Sequence, residues 1–170
     1  TEEHHGSDAT HMDTRAVPEV RGGVAGYLIN GNKMWTTGLP YTSHVMTFVR
    51  TSGEDGKARG ITCFVVPINA PGSEIGEYMW TFNMPTDHPK VKYTDVWVPE
   101  SAILGELDNG LGVAQHFVHE NRIRQAASSL GAAQYCIDEA VKYARERKPF
   151  GKPLAVNQGI QFPLVELQTD

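Results

Sequence analysis

Apolar and polar positions alternate in short runs over the first hundred residues, and the period then changes. Gly26-Tyr27-Leu28-Ile29 and Asn32-Lys33-Met34-Trp35 flank Asn30-Gly31. Asn-Gly between two such runs predicts a hairpin turn, because both central residues must take positive φ. Residues 45–49 predict a second strand, with Met46 and Phe48 among its large side chains. A polar loop at 52–57 precedes a third strand at 61–66, stopped by Pro67, and Ala70-Pro71-Gly72 reads as a turn. Residues 91–98 predict a further strand with Val91, Tyr93, Asp95 and Trp97 on one face, ended by Pro99. Short strands at this spacing predict a small antiparallel β-barrel or sandwich.

Beyond Gly110 the pattern is helical. Phe117, Ile123, Ala127, Leu130, Ile137, Val141 and Ala144 recur mostly at three- and four-residue steps, and no proline intervenes before Pro149. Asn109 and Gly110 would open a helix of about 111–147, roughly 55 Å long at 1.5 Å per residue. Such a helix needs partner helices, and the chain offers only the start of one, near Asn157. The expected fold class is therefore α+β. Residues 1–104 would form the β-barrel domain, and 105–170 the start of a truncated helical bundle. The polar opening Thr1 to Asp8 and the closing residues 165–170 read as parts of a longer protein.

Composition narrows the function classes. The chain has 170 residues, 40% of them hydrophobic and 21% charged, enough apolar material for a core. A net charge of −5 disfavours a uniformly basic nucleic-acid binder. No apolar run approaches the ~18 residues that a membrane-spanning helix needs. Cys63 and Cys136 sit among apolar neighbours in separate segments and are expected to be buried, reduced thiols, which suits a reducing compartment.

Three segments offer chemistry. Gly6-Ser7-Asp8 with nearby Thr1 supplies backbone N–H groups and hydroxyls for an anionic or carbonyl-rich ligand, or is simply a turn. His4, His5 and His11 lack further ligands at metal spacing, so no metal is expected. Trp35-Thr36-Thr37-Gly38 can make a flat wall with hydrogen-bonding edges for a planar heteroaromatic ring, or Trp35 is an ordinary core aromatic. Arg145-Glu146-Arg147-Lys148-Pro149-Phe150-Gly151-Lys152, followed by Gln158, ends the long helix in positive charge. That complements the helix dipole. It could also bind phosphate through a guanidinium, with Phe150 available to stack.

In this order the segments resemble the acyl-CoA dehydrogenase family of flavoproteins. Thr1-Glu2 followed by Gly6-Ser7-Asp8 is similar to the pattern at the start of the family's middle domain. Tyr27, Ile29, Asn30, Gly31, Lys33, Trp35 and Thr37 match its Tyr-x-Ile/Leu-Asn-Gly-x-Lys-x-Trp-x-Thr run. Asp95-Val96-Trp97-Val98-Pro99 resembles the strand before the helical domain. Tyr143-Ala144, Arg147, Phe150-Gly151 and Gln158 resemble its helical motif.

The resemblance implies FAD and an acyl-CoA thioester oxidised between Cα and Cβ, with electrons passing to an electron-transfer flavoprotein. It implies that Thr1, Gly6 and Ser7 contact FAD, Ser7 also lying near the CoA end of the substrate. Trp35 would pack against the isoalloxazine, with Thr36 beside it and Thr37 bonding at its reactive edge. Arg147, Phe150 and Gln158 would serve a neighbouring subunit's FAD, so a homodimer or homotetramer is expected. Arg122 would contact the CoA portion. The location would be intracellular, cytoplasmic in a bacterium and mitochondrial or peroxisomal in a eukaryote.

The chain departs from the family pattern at Glu3, commonly Pro, at His5, commonly a small residue, and at His119, often an acid. In one branch the catalytic glutamate immediately precedes the arginine. Here that position is Asn121, and an amide cannot be the base. Glu120 lies one residue back, about 100° around the helix. It would reach the substrate only across a local bulge, so the base is expected beyond Asp170. An acyl-CoA oxidase, another flavin-dependent oxidase or hydroxylase on the same scaffold, and a non-catalytic binding module are the alternatives.

Overall fold

The computed structural model describes residues 1–81 and 87–170. The chain divides into two compact units, Thr1–His116 and Phe117–Asp170.

The first unit is built on one seven-stranded sheet. Its strands are β1 (Arg15–Arg21), β2 (Val24–Lys33), β3 (His44–Arg50), β4 (Ile61–Pro67), β5 (Ser73–Tyr78), β6 (Pro89–Pro99) and β7 (Ile103–Leu104). They lie in the order β5-β6-β2-β1-β3-β4-β7. Neighbours pair antiparallel except β1 and β3, which are parallel and register Arg15 against Arg50. At that seam the Arg50 N–H donates to the Thr14 carbonyl at 2.9 Å. Ile29, Val91, Val96 and Val98 from one side of the seam cluster with Val49, Phe64 and Val66 from the other. The sheet thus curls over one core as a half-barrel, and the expected barrel or sandwich is mixed at a single corner.

The tertiary structure reassigns two local signals. Asn30-Gly31 does not turn the chain, because β2 runs straight through it. Ile29 pairs with Val96 and Gly31 with Tyr93, so two residues of β6, Thr94 and Asp95, oppose Asn30. This is a β-bulge. Asp95 takes φ 51, and Asn30 holds it there by accepting the Asp95 N–H at 2.9 Å and donating to its carboxylate at 3.0 Å. The hairpin turn lies earlier, at Gly22-Gly23, with φ 56 and 81 between the paired residues Arg21 and Val24. Two consecutive positive φ values are what a two-residue type I′ loop requires. The bulge also breaks the expected face of β6. Val91 and Tyr93 are buried before it and Val96 and Val98 after it, while Asp95 is exposed and Trp97 only half-buried. One extra residue shifts the alternation by one.

In the helical part, α1 (Gly110–Glu146) spans 37 residues without interruption, and α2 (Gln158–Thr169) starts after Asn157, as the periodicity predicts. Within the second unit Gln134 of α1 and Gln168 of α2 exchange two amide hydrogen bonds, at 3.0 and 3.1 Å. Ala144 is buried, but Ile123, Leu130, Phe162 and Leu167 are exposed. Cys136 is likewise exposed, against expectation, because its face of α1 has no cover here. Cys63 is buried in β4 as expected, and both thiols are free. Burial pushes Cys63 up to about 11, which leaves it unreactive at neutral pH.

Candidate functional site

The N-terminal strap is fastened by a buried carboxylate. Glu2 accepts the backbone N–H of Asp13 at 2.6 Å and that of Thr14 at 3.2 Å, and it pairs with the Lys33 ammonium at 2.5 Å. Its side chain is 5% exposed and that of Lys33 11%. Burial alone would raise the Glu2 carboxyl, but Lys33 and the two backbone donors together hold it below its usual value. Next to this pair, Met34 N–H donates to the Thr1 carbonyl at 3.0 Å. The Thr-Glu and Lys-x-Trp motifs, more than thirty positions apart in sequence, are therefore two sides of one ion pair. Sequence reasoning used Glu2 and Lys33 only as pattern matches, since neither burial nor pairing shows in a one-dimensional pattern.

Two residues beyond the end of β2, Trp35 adopts φ 59. A bulky residue in the left-handed region is uncommon and strained, and such strain clusters at functional sites. The conformation is fixed by the Thr37 N–H donating to the Trp35 carbonyl at 2.9 Å and the Thr36 N–H to Pro89 at 3.2 Å. Trp35 remains 41% exposed, so it is not the ordinary core aromatic that composition allowed.

Trp35 borders a cavity of about 220 Å³. Thr1, Glu2, His5 and Gly6 of the strap, Lys33 to Thr36, and Val45 to Phe48 of β3 line it, with Ile61, Tyr93, Leu111 and Ala114. Its walls thus combine an aromatic face and apolar side chains with a polar strap. Thr47 and Tyr93, both buried, share a hydroxyl–hydroxyl bond of 3.0 Å there. The histidines nearby are engaged by carboxylates. His11 Nδ1 lies 2.8 Å from Asp8, and His5 Nε2 lies 3.3 Å from Asp13. Asp8 also accepts from the Thr10 hydroxyl and N–H, and these bonds with that of His11 lower its carboxyl to about 2. Arg50 is a second buried charge, and no local pattern announces it. Its guanidinium donates to the carbonyls of Thr10, Ser52, Lys57 and Arg59, tying the 51–60 loop to the end of the strap.

Of the residues singled out from sequence, Thr1, Gly6, Trp35 and Thr36 border this one cavity. Ser7 and Thr37 belong to the same unit but do not line it. The Thr37 hydroxyl instead meets His88 Nδ1 at 2.9 Å. Arg122, Arg147, Phe150 and Gln158 belong to the second unit. There the Leu154 N–H donates to the Arg147 carbonyl at 2.8 Å, closing a loop with Phe150 fully exposed at φ 54. α1 is regular through Glu120 and Asn121, and Asn121 accepts a bond from Arg124 at 2.5 Å. No bulge therefore turns Glu120 toward the face of Asn121.

Comparison with known proteins matches both parts of the chain. The acyl-CoA dehydrogenase middle-domain family covers residues 1–96, and the acyl-CoA dehydrogenase C-terminal-domain family covers residues 108–170. The chain is 38% identical over 172 aligned positions to a 3-(aryl)acrylate reductase of Clostridium sporogenes, covering 99% of this chain and 44% of that protein. It is 34% identical to an acyl-CoA dehydrogenase of Bacillus subtilis, with the same two coverages. The butyryl-CoA dehydrogenase structure from Megasphaera elsdenii superposes with a TM-score of 0.88 at 30% identity, covering 99% of this chain and 43% of that one. The chain spans under half the length of these relatives. With the β-sheet part and the helical part each matched by one of its domain families, the chain belongs to the acyl-CoA dehydrogenase family.

Proposed function

We propose that the chain is part of an FAD-dependent acyl-CoA dehydrogenase. The observation that carries this reading is Trp35, strained and half-exposed, bordering a cavity that Thr1, Glu2, His5 and Gly6 of the strap also line. The residues present fit a flavin. Ligand pockets commonly run ~300–1,000 Å³, so 220 Å³ suits a ring system and leaves the rest of a dinucleotide to other surfaces. Trp35 supplies a stacking face, with Thr1, Gly6 and Thr36 as polar contacts in the cavity and Ser7 and Thr37 as contacts beside it. Bound FAD supplies a two-electron acceptor for the hydride that leaves the substrate's β carbon.

The chain's residues hold and polarise. With FAD bound, the Thr37 hydroxyl would turn from His88 Nδ1 to donate to the ring's reactive edge, where it would stabilise charge arriving with the hydride. Ser7 and Arg122 hold the CoA portion. The α proton goes to a carboxylate beyond Asp170, since Asn121 cannot take it and Glu120 faces elsewhere. Arg147, Phe150 and Gln158 serve a second subunit's FAD, which makes the protein a homodimer or homotetramer. Arg147 follows Arg122 by 25 residues, about 37 Å along a helix, too far for both to attend one flavin. An electron-transfer flavoprotein takes the electrons onward. The β-domain ends at residue 104 and the helical domain begins at 105.

A second reading is favoured by the acrylate reductase among the relatives. The same site would then run in reverse, adding hydride and proton across a conjugated double bond. Full-length protein purified yellow, bleached by acyl-CoA and reoxidised by an electron-transfer flavoprotein, would support the dehydrogenase. Bleaching by reductant and recovery only with an aryl acrylate would select the reductase. In either direction Thr37→Val should slow flavin reduction or reoxidation roughly 10- to 100-fold, the value of about 1.5–3 kcal/mol for a hydrogen bond to a charged group. Unchanged stopped-flow kinetics would remove that role.

A further inference from the structure

His5 has no counterpart in the family pattern described above, which carries a small residue there, yet it lines the cavity. Its backbone is pinned, since His5 and Glu2 exchange main-chain hydrogen bonds of 3.3 and 2.8 Å and Glu2 is itself locked to Lys33, Asp13 and Thr14. Its ring is pinned as well. The imidazole stacks on His11 with centroids 5.6 Å apart and planes 23° apart, meets His4 edge-on at 6.4 Å, and turns Nε2 to the Asp13 carboxylate at 3.3 Å. That carboxylate favours a proton on Nε2, which leaves the lone pair on Nδ1. Among the described residues Nδ1 has no hydrogen-bond partner. The carboxylates on this histidine stack are Asp13, against His5, and Asp8, against His11.

We propose that His5 is a further ligand-binding residue, its Nδ1 accepting a hydrogen bond from an O–H or N–H group of the molecule that fills the cavity. The inference rests on the flavoprotein reading above. Two ligands carry such donors: a ribityl hydroxyl of the cofactor, or an amide N–H of the pantetheine arm of an acyl-CoA.

The test compares His5→Phe and His5→Ala in the full-length protein. Phenylalanine keeps the ring and its stacking on His11 but has no nitrogen. Alanine restores a small residue and guards against a His5→Phe variant that does not fold, with circular dichroism checking both. FAD is titrated into apoprotein, and a non-reactive acyl-CoA thioether into FAD-loaded protein, by calorimetry. Losing one neutral hydrogen bond should weaken one of the two affinities about three- to tenfold in both variants. Loss in the FAD titration identifies the cofactor as donor, and loss in the thioether titration identifies the substrate. Wild-type affinities in His5→Phe for both ligands would overturn the proposal and leave the flavoprotein reading intact. A wild-type protein that takes up neither ligand would overturn both.

Discussion

Removing one partner of the Glu2–Lys33 pair strands the other charge among buried neighbours. Such losses cost about 3–5 kcal/mol, whereas replacing both partners by neutral groups costs much less. Lys33→Met should therefore destabilise the protein by that amount, and Glu2→Gln combined with Lys33→Met by clearly less than the two single changes together. Urea denaturation of the three variants checks it. Acid should act on the same carboxylate. Because folding depresses the Glu2 carboxyl, its contribution is complete above the unfolded value of 4.5 and is lost as pH falls below it. Asp8, depressed from 3.8 to about 2, extends that loss to lower pH. The unfolding midpoint should fall continuously below about pH 4.5, and the Lys33→Met variant should show a shallower fall. An acid profile identical in both would contradict the assignment.

Two glycines in β2 and its entry turn look alike in sequence but differ in what surrounds them. Gly22 takes φ 56 with nothing within 4 Å of where a Cβ would lie. Gly22→Ala should cost only the left-handed backbone term, about 1–2 kcal/mol. Gly31 takes φ 144, and a Cβ there would lie 2.6 Å from the Thr14 Cα and hydroxyl. Gly31→Ala adds an overpacking term of about 1–3 kcal/mol to the backbone cost. It also presses on the backbone that Glu2 holds, so it should disturb the cavity as well as the fold. Thermal melts of the two variants should differ by several degrees, with Gly22→Ala closer to the parent. The reverse order would mean that the bulge at Asp95 absorbs the added methyl.

At the scale of the molecule the two units differ in what holds them. The half-barrel has a core from both sides of its seam, whereas the second unit buries Ala144 and exposes the apolar stripe of α1 and α2. Regions with few buried apolar groups open most readily. In the 170-residue chain, limited proteolysis should cut within 117–170 before it cuts within 1–116, and amide exchange should be slowest in β2, β3, β4 and β6. Equal protection across both units would show that the helices find cover in a second copy. No helix among the described residues is long and apolar enough to cross a membrane, so the exposed stripe is not a spanning segment.

The linear pattern determined the elements whose signals are local. The run without proline set α1, Asn157 preceded α2, and Pro67 and Pro99 ended strands, because helix and strand periodicity and proline geometry act within a few residues. The motifs around Thr1 and Trp35 were legible for the same reason, as side-chain types at fixed offsets. Only the tertiary structure decided where those local preferences were spent. Asn30-Gly31 is able to turn, but its neighbour Thr14 and the bulged Asp95 make it a strand position, while Gly22-Gly23 turns because β1 and β2 pair there. Cys136 follows an apolar pattern, yet its exposure depends on what packs over α1. The buried Glu2–Lys33 pair, the Arg50 hub and the pinned His5 depend on contacts between residues up to 40 positions apart. Charge burial is a property of the folded neighbourhood, and one-dimensional spacing carries no record of it.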